Sequence, residues 1–128
     1  MEEILHQAER SEKEYDWLEA AGFYEKALNL LPQDDFSKIA EIHERMGYAF
    51  YNFAFQAESK DEFRERLRQS TVAYEKAVEF YGKPNEPVKT ARTSRCNAMI
   101  AYIGYWLATE AKEKKEKIDE CWRLARTR

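Results

Sequence analysis

Catalysis and metal binding need nucleophiles, bases or ligands at particular spacings, and this chain has few of them. Its histidines are His6 and His43, and it contains no G-x-S-x-G elbow and no P-loop. His43-Glu44 opens like a zinc-protease H-E-x-x-H motif but continues Arg45, Met46, Gly47, so the second imidazole is missing. Glu3-Ile4-Leu5-His6 has the Glu-x-x-His spacing of di-iron bundles, which need a second copy that this chain lacks. The expectation is a protein with no catalytic residues, no metal and no cofactor.

Cys96 and Cys121 are the thiols. Counted from a turn near residues 109–110, they lie within about one helical turn of the same height on paired helices. That permits a disulfide, although two small buried thiols are the expectation for a protein of the reducing cytoplasm. The chain opens Met1-Glu2-Glu3, without the basic and then apolar profile of a signal peptide, and has no apolar run long enough to span a membrane. Cytoplasmic localisation follows as an expectation.

The formal net charge of -3 conceals an asymmetry. Residues 1–64 carry 15 acids and 7 bases, and residues 65–128 carry 9 acids and 14 bases, balances of -8 and +5. Such polarity suits a bipolar groove or a head-to-tail contact with a second copy, but it also arises from ordinary solvated helix faces. The Lys112-Glu113-Lys114-Lys115-Glu116-Lys117 run and the Arg64, Arg66, Arg68 series read as solvated faces. A basic nucleic-acid face from Arg92, Arg95, Lys114, Arg123 and Arg126 is disfavoured, because overall acidity opposes it and no interleaved aromatic motif supports it.

The sharpest site candidates are aromatic. Met46–Ala57 and Ala98–Ala108 are apolar nearly all the way round, so each needs neighbours on every side or turns one side to a ligand. Phe50, Phe53, Met99, Ile103 and Trp106 are expected in the core. Tyr48, Tyr51, Asn52, Phe55, Tyr102 and Tyr105 are the expected partner-binding residues, since tyrosine combines an apolar body with a polar handle.

The elements that position these residues are helices. At 128 residues with 44% hydrophobic and 35% charged residues, four glycines and three prolines, the chain has a real core and little turn chemistry. Apolar residues recur three and four apart, and nothing reads as a strand. Leu31-Pro32-Gln33-Asp34-Asp35 and Gly82-Lys83-Pro84-Asn85-Glu86-Pro87 punctuate it, with Asp34 or Asp35 capping the following helix, Gly82 at a left-handed C′ position and Asn85 capping ahead of Pro87. Each resulting block is too long for one ordinary helix. Asp16 with Glu19, Ser59 with Glu62, and Thr109 mark the expected hairpin turns, and one continuous helix from about Phe36 to Tyr81 is the alternative for the second block.

An aromatic–x–x–Ala unit links the blocks: Tyr24-Glu25-Lys26-Ala27, Tyr74-Glu75-Lys76-Ala77 and, more loosely, Trp122-Arg123-Leu124-Ala125. With Ala8, Asp16, Trp17, Ala20 and Pro32, the first block resembles a tetratricopeptide (TPR) repeat, departing from it at Gln7 and Ser11. The second block keeps Met46-Gly47, Phe50, Tyr74, Ala77 and Pro84, but four extra residues separate Phe63 from Tyr74 compared with Trp17 from Tyr24. The stretched later units also look like the longer hairpins of soluble NSF attachment proteins. The TPR resemblance implies an all-α fold of three antiparallel helical hairpins, stacked as an α-α superhelix. It would be one domain over 1–128, with hairpin units at about 2–31, 35–81 and 86–127.

That family binds peptides or partner domains in its concave face, and the implied function is a non-catalytic protein–protein interaction or scaffold module. The family's carboxylate-gripping subgroup uses Lys and Asn at positions occupied here by Leu5 and Glu9, so that clamp does not carry over. A homodimer through the open end of the stack is a further expectation. The alternative function is a small-molecule sensor or carrier with a pocket between the aromatic-rich helices.

Overall fold

Three helix starts are marked by a side chain that satisfies a free backbone amide. The Asp16 carboxylate accepts from the Glu19 amide at 3.2 Å, the Asp35 carboxylate from the Lys38 amide at 3.4 Å, and the Ser59 hydroxyl from the Glu62 amide at 3.1 Å. These caps open α2 (Trp17–Leu30), α3 (Phe36–Ala54) and α4 (Lys60–Tyr81). They are preceded by α1 (Glu2–Lys13) and followed by α5 (Lys89–Leu107) and a helical stretch, α6, at 119–125. The structure is a computed structural model and describes residues 1–83, 89–108 and 119–125. The expected caps and turns at Asn85, Pro87 and Thr109, and the Lys112–Lys117 run, lie outside the described residues.

The chain is all-α, and its helices pack in sequence: α1 on α2, α2 on α3, α3 on α4 and α4 on α5. The second block is two helices, not one continuous rod. Glu62 completes the break, accepting from the Glu58 amide at 3.3 Å, and Arg66 donates to the Phe53 carbonyl at 3.0 Å, which satisfies an end carbonyl of α3. In the first turn Tyr15 has a φ of 60°, an uncommon conformation for a residue other than glycine, and its carbonyl accepts from the Gln56 side chain at 3.0 Å. Gly82 differs from expectation: it ends α4 with φ at -82°, in the right-handed region, so no left-handed cap forms there.

The core is made of small residues meeting rings. Ala8, Ala20, Ala21, Tyr24, Ala27, Ile42 and Ala49 form one buried cluster, and Ala40, Ala54, Leu67, Tyr74, Ala77, Tyr81, Cys96 and Ile103 form another. Helix α3 supplies both, through Ile42 and Ala49 on one side and Ala40 and Ala54 on the other. Alanine at a helix contact lets two backbones approach closely, and tyrosine fills the gap beside it. The expected core is therefore corrected in part. Ile103 is fully buried, Phe50 and Met99 are half-buried against the two clusters, Phe53 is half-buried, and Trp106 is 38% exposed among the rings of Phe55, Phe63, Tyr102 and Tyr105. Trp122 does not play the part of Tyr24 and Tyr74 either, being 62% exposed.

Helices α3 and α4 approach closely. Gly47 lies under the Tyr74 ring, where an added Cβ would stand 2.7–2.9 Å from three ring carbons, and its carbonyl accepts from the buried Ser70 hydroxyl at 2.6 Å. Gly22, inside α2, has open space around the same position. Gly47→Ala should therefore destabilise the protein by about 1–3 kcal/mol through overpacking. Gly22→Ala should stabilise it by roughly 0.5–1 kcal/mol through helix propensity. Urea titration of both variants checks the opposite signs.

Candidate functional site

Alternate helices α1, α3 and α5 together line a cleft of about 490 Å³, with Glu12 from α1, Glu41, Glu44, Arg45 and Tyr48 from α3, and Arg92, Arg95 and Met99 from α5. Tyr74 of α4 forms part of its lining. A smaller pocket of about 80 Å³ continues the cleft toward Leu5 and Glu9, sharing Glu41 and Arg45.

The cleft walls are held by two networks of the same composition. In the first, the Tyr24 hydroxyl of α2 donates to Glu12 Oε2 at 3.0 Å and accepts from Arg45 Nε at 2.8 Å, while Arg45 Nη2 donates to Glu12 Oε1 at 3.2 Å. In the second, the Tyr81 hydroxyl of α4 donates to Glu44 Oε1 at 2.9 Å. Arg95 clasps the same carboxylate through Nε and through Nη2, the latter bond being 2.7 Å. Each network joins an acid on the first helix of a pair, a tyrosine on the second and an arginine on the first helix of the next pair. Adjacent residues Glu44 and Arg45 belong to different networks, one reaching forward along the chain and one back.

These bonds have electrostatic consequences. Burial, aided by Glu12, raises the Tyr24 phenol far above its ordinary range, against the opposing pull of Arg45. Burial and Glu44 do the same to Tyr81. The Glu44 bond, with its charge, raises Arg95 despite some burial. The phenols therefore stay protonated donors, and Arg45 and Arg95 stay charged, at any ordinary pH. Charge-assisted bonds of this kind contribute about 1.5–3 kcal/mol each when partly shielded.

The aromatic residues expected to bind a partner divide into two places. Tyr48 stands at the cleft, half exposed, with the Trp17 ring edge-on at 5.6 Å. Asn52, half-buried, turns its amide inward to donate to the Tyr48 carbonyl at 2.9 Å. Tyr51, Phe55, Tyr102 and Tyr105 instead gather in a ring cluster with Phe63 and Trp106, where neighbouring centroids are 5.0–6.5 Å apart. Such tilted and edge-on contacts are how rings attract one another. Burial against Tyr102 pushes the Tyr51 phenol up to about 12. Phe55 is 50% exposed and Tyr102 37%, so the cluster presents an aromatic face to solvent. On the far side of Tyr102 and Tyr105, a pocket of about 370 Å³ is lined by those two residues with Cys121, Trp122 and Ala125.

Cleft residues that sequence reading did not single out include Glu12, Glu41, Glu44 and Arg45, with Tyr81 in the network behind them, while Arg92 and Arg95 were placed only on a disfavoured nucleic-acid face. Their signal was an unlike-charge pair, Glu44-Arg45, directly ahead of the aromatic-rich half of α3. Of the remaining members of that basic face, Arg123 is exposed, and Lys114 and Arg126 lie outside the described residues. Cys96 is buried, Cys121 is partly buried, and both are free thiols. Burial, with Glu44 nearby, pushes Cys96 up to about 12. Glu3 and His6 are exposed on α1, and no group of three or more metal-ligating side chains occurs among the described residues. No helix among them is long and apolar enough to cross a membrane.

His43 offers a titration that reports on the opposite side of α3. It is half-buried and stacks on Phe80 at 5.8 Å. Burial first, and then Lys76, lower its pKa, with Glu79 opposing. The folded state thus binds fewer protons than the unfolded chain, and stability falls as pH drops from about 6.5 toward the lowered value. His43→Gln should flatten stability against pH in that window, as measured by urea midpoints between pH 7 and pH 5. A slope equal to the parent's would assign the titration elsewhere.

No protein family, curated protein or solved structure matches the chain. The functional reading rests on the geometry and charge of the cleft and of the aromatic face beside it.

Proposed function

We propose that this chain is a non-catalytic interaction module, a TPR-like superhelix of three hairpins that takes a segment of a partner protein in the cleft between α1, α3 and α5. The carrying observation is that three alternate helices meet at one open groove whose charged walls are already fixed by bonds among Glu12, Tyr24, Arg45, Glu44, Tyr81 and Arg95. Groups ordered before binding lose little freedom on binding, so contact energy is not spent on arranging them. Tyr48 and Met99 supply apolar contact at the centre, and tyrosine is a favoured anchor at interfaces. The same reading has no catalytic step and no cofactor, and it suits a reducing compartment in which Cys96 and Cys121 stay as thiols.

A second reading is favoured by one observation, the apolar pocket of about 370 Å³ at Tyr102, Tyr105, Cys121, Trp122 and Ala125, whose size suits a small apolar ligand. In that reading the chain carries or senses a small molecule.

The two separate by experiment. Panning a displayed library of random nonapeptides against the protein should enrich binders, and Tyr48→Ala should weaken them about tenfold, ~1.4 kcal/mol. Trp122→Ala should leave them unchanged. Peptides that respond to Trp122→Ala alone, or a small molecule retained in native mass spectra and released by that substitution, would favour the carrier.

A further inference from the structure

The charged groups along the cleft, network members included, are not spread evenly. At the α1 end, Glu9, Glu12 and Glu41 face Arg45 and Lys38, three carboxylates against two cations. Arg45 lies 3.2 Å from Glu12 and 4.0 Å from Glu9, and Lys38 lies 3.8 Å from Glu41. At the α5 end the balance reverses, with Arg92 and Arg95 against Glu44 alone. Arg95 already has both its bonds to that carboxylate. Arg92 has no carboxylate partner among the described residues, and its guanidinium lies over the Tyr81 ring at 5.9 Å. It also sits in the first turn of α5, which contains no acid, at the positive end of the helix dipole. Tyr48 lines the cleft from α3, and Met99 lines it from α5, one turn beyond Arg95.

We infer that the cleft is polarised along its length and selects a peptide segment with the opposite order of charge. Such a segment places a carboxylate side chain on Arg92, an apolar side chain across Tyr48, and a basic side chain on Glu9. This inference rests on the peptide-binding reading and adds to it the partner's chemistry and direction. A carboxylate is the matching anion because Arg92, which lies against Tyr81, has no carboxylate partner among the described residues. A phosphate dianion would need Arg95 as well, and Glu44 holds it. The walls exclude the reversed segment by repulsion, which is how charged interfaces set register and direction more than bare affinity.

The test uses the panned peptides. The enriched set should carry an acid and a base on opposite sides of an apolar residue, in one constant order. Arg92→Glu should weaken a member of that set about tenfold, and replacing the peptide's acid with lysine should restore its binding to the variant. An acid in the first turn of α5 favours that helix, so the variant should keep the parent's thermal midpoint, and a melt confirms it. Glu9→Lys should act in the same way at the peptide's basic end. An enriched set without charge order, or binding within twofold of the parent after Arg92→Glu, overturns the polarity and leaves the cleft as the binding site. Failure to enrich any peptide removes the cleft reading and this inference with it.

Discussion

One helix, α3, has to satisfy two cores at once, and most of the structure follows from how it does so. Its Ile42 and Ala49 close the cluster shared with α1 and α2, and its Ala40 and Ala54 close the cluster shared with α4 and α5. A helix buried on two sides cannot present large residues to both without forcing its neighbours apart. Small residues therefore stand where helices touch, and at Gly47 even a methyl group is too much because the Tyr74 ring fills the space. The rings come from the partner helices, which explains why the core pairs alanine with tyrosine in place of the usual leucine-rich packing.

The remaining face of α3 is what the cleft is made from. Glu44 and Arg45, neighbours in sequence, diverge around the helix and are tied to different partners, Arg45 to Tyr24 and Glu12 and Glu44 to Tyr81 and Arg95. Burying charge is unfavourable unless it is paired and its remaining bonds are satisfied. Here the pairing is completed by a phenol whose pKa is driven up, so the hydroxyl stays a donor. The same helix that joins the two cores thus also joins the two networks. Structural stitching and the chemistry of the groove are one set of contacts, and substitutions in Glu44 or Arg45 will disturb both.

Much of this was legible in the sequence where the signal is local. Asp16, Asp35 and Ser59 cap helices because each stands three residues before an amide that needs an acceptor, and that relation depends on nothing distant. Ala20, Tyr24 and Ala27 were legible for a similar reason, since helical spacing puts them on one side of α2. The networks were not legible, because Glu12 and Arg45 are 33 residues apart and Glu44 and Arg95 are 51 apart. Tyr74 repeats Tyr24 in the aromatic–x–x–Ala pattern, yet the hydroxyl that plays the part of Tyr24 belongs to Tyr81, two helical turns later. Sequence similarity and structural equivalence come apart at that point.

The aromatic residues teach a related lesson about composition. Tyr48, Tyr51, Phe55, Tyr102 and Tyr105 look alike as a set, and packing sorts them by depth along α3 and α5. Tyr48 falls beside the charged groove, whereas the others lie farther along, where α3 ends and the first residues of α4 supply Phe63. There the rings find one another edge to face, and each bond within the cluster reduces what is left to offer a partner. Tyr48 has one ring contact among the described residues, the edge of Trp17, and keeps half its surface in water, between fixed charges of both signs. A ring so placed gains most from being covered, because its apolar area is open and its surroundings are already ordered. That difference, and not the abundance of tyrosine, makes the groove the better candidate for recognition.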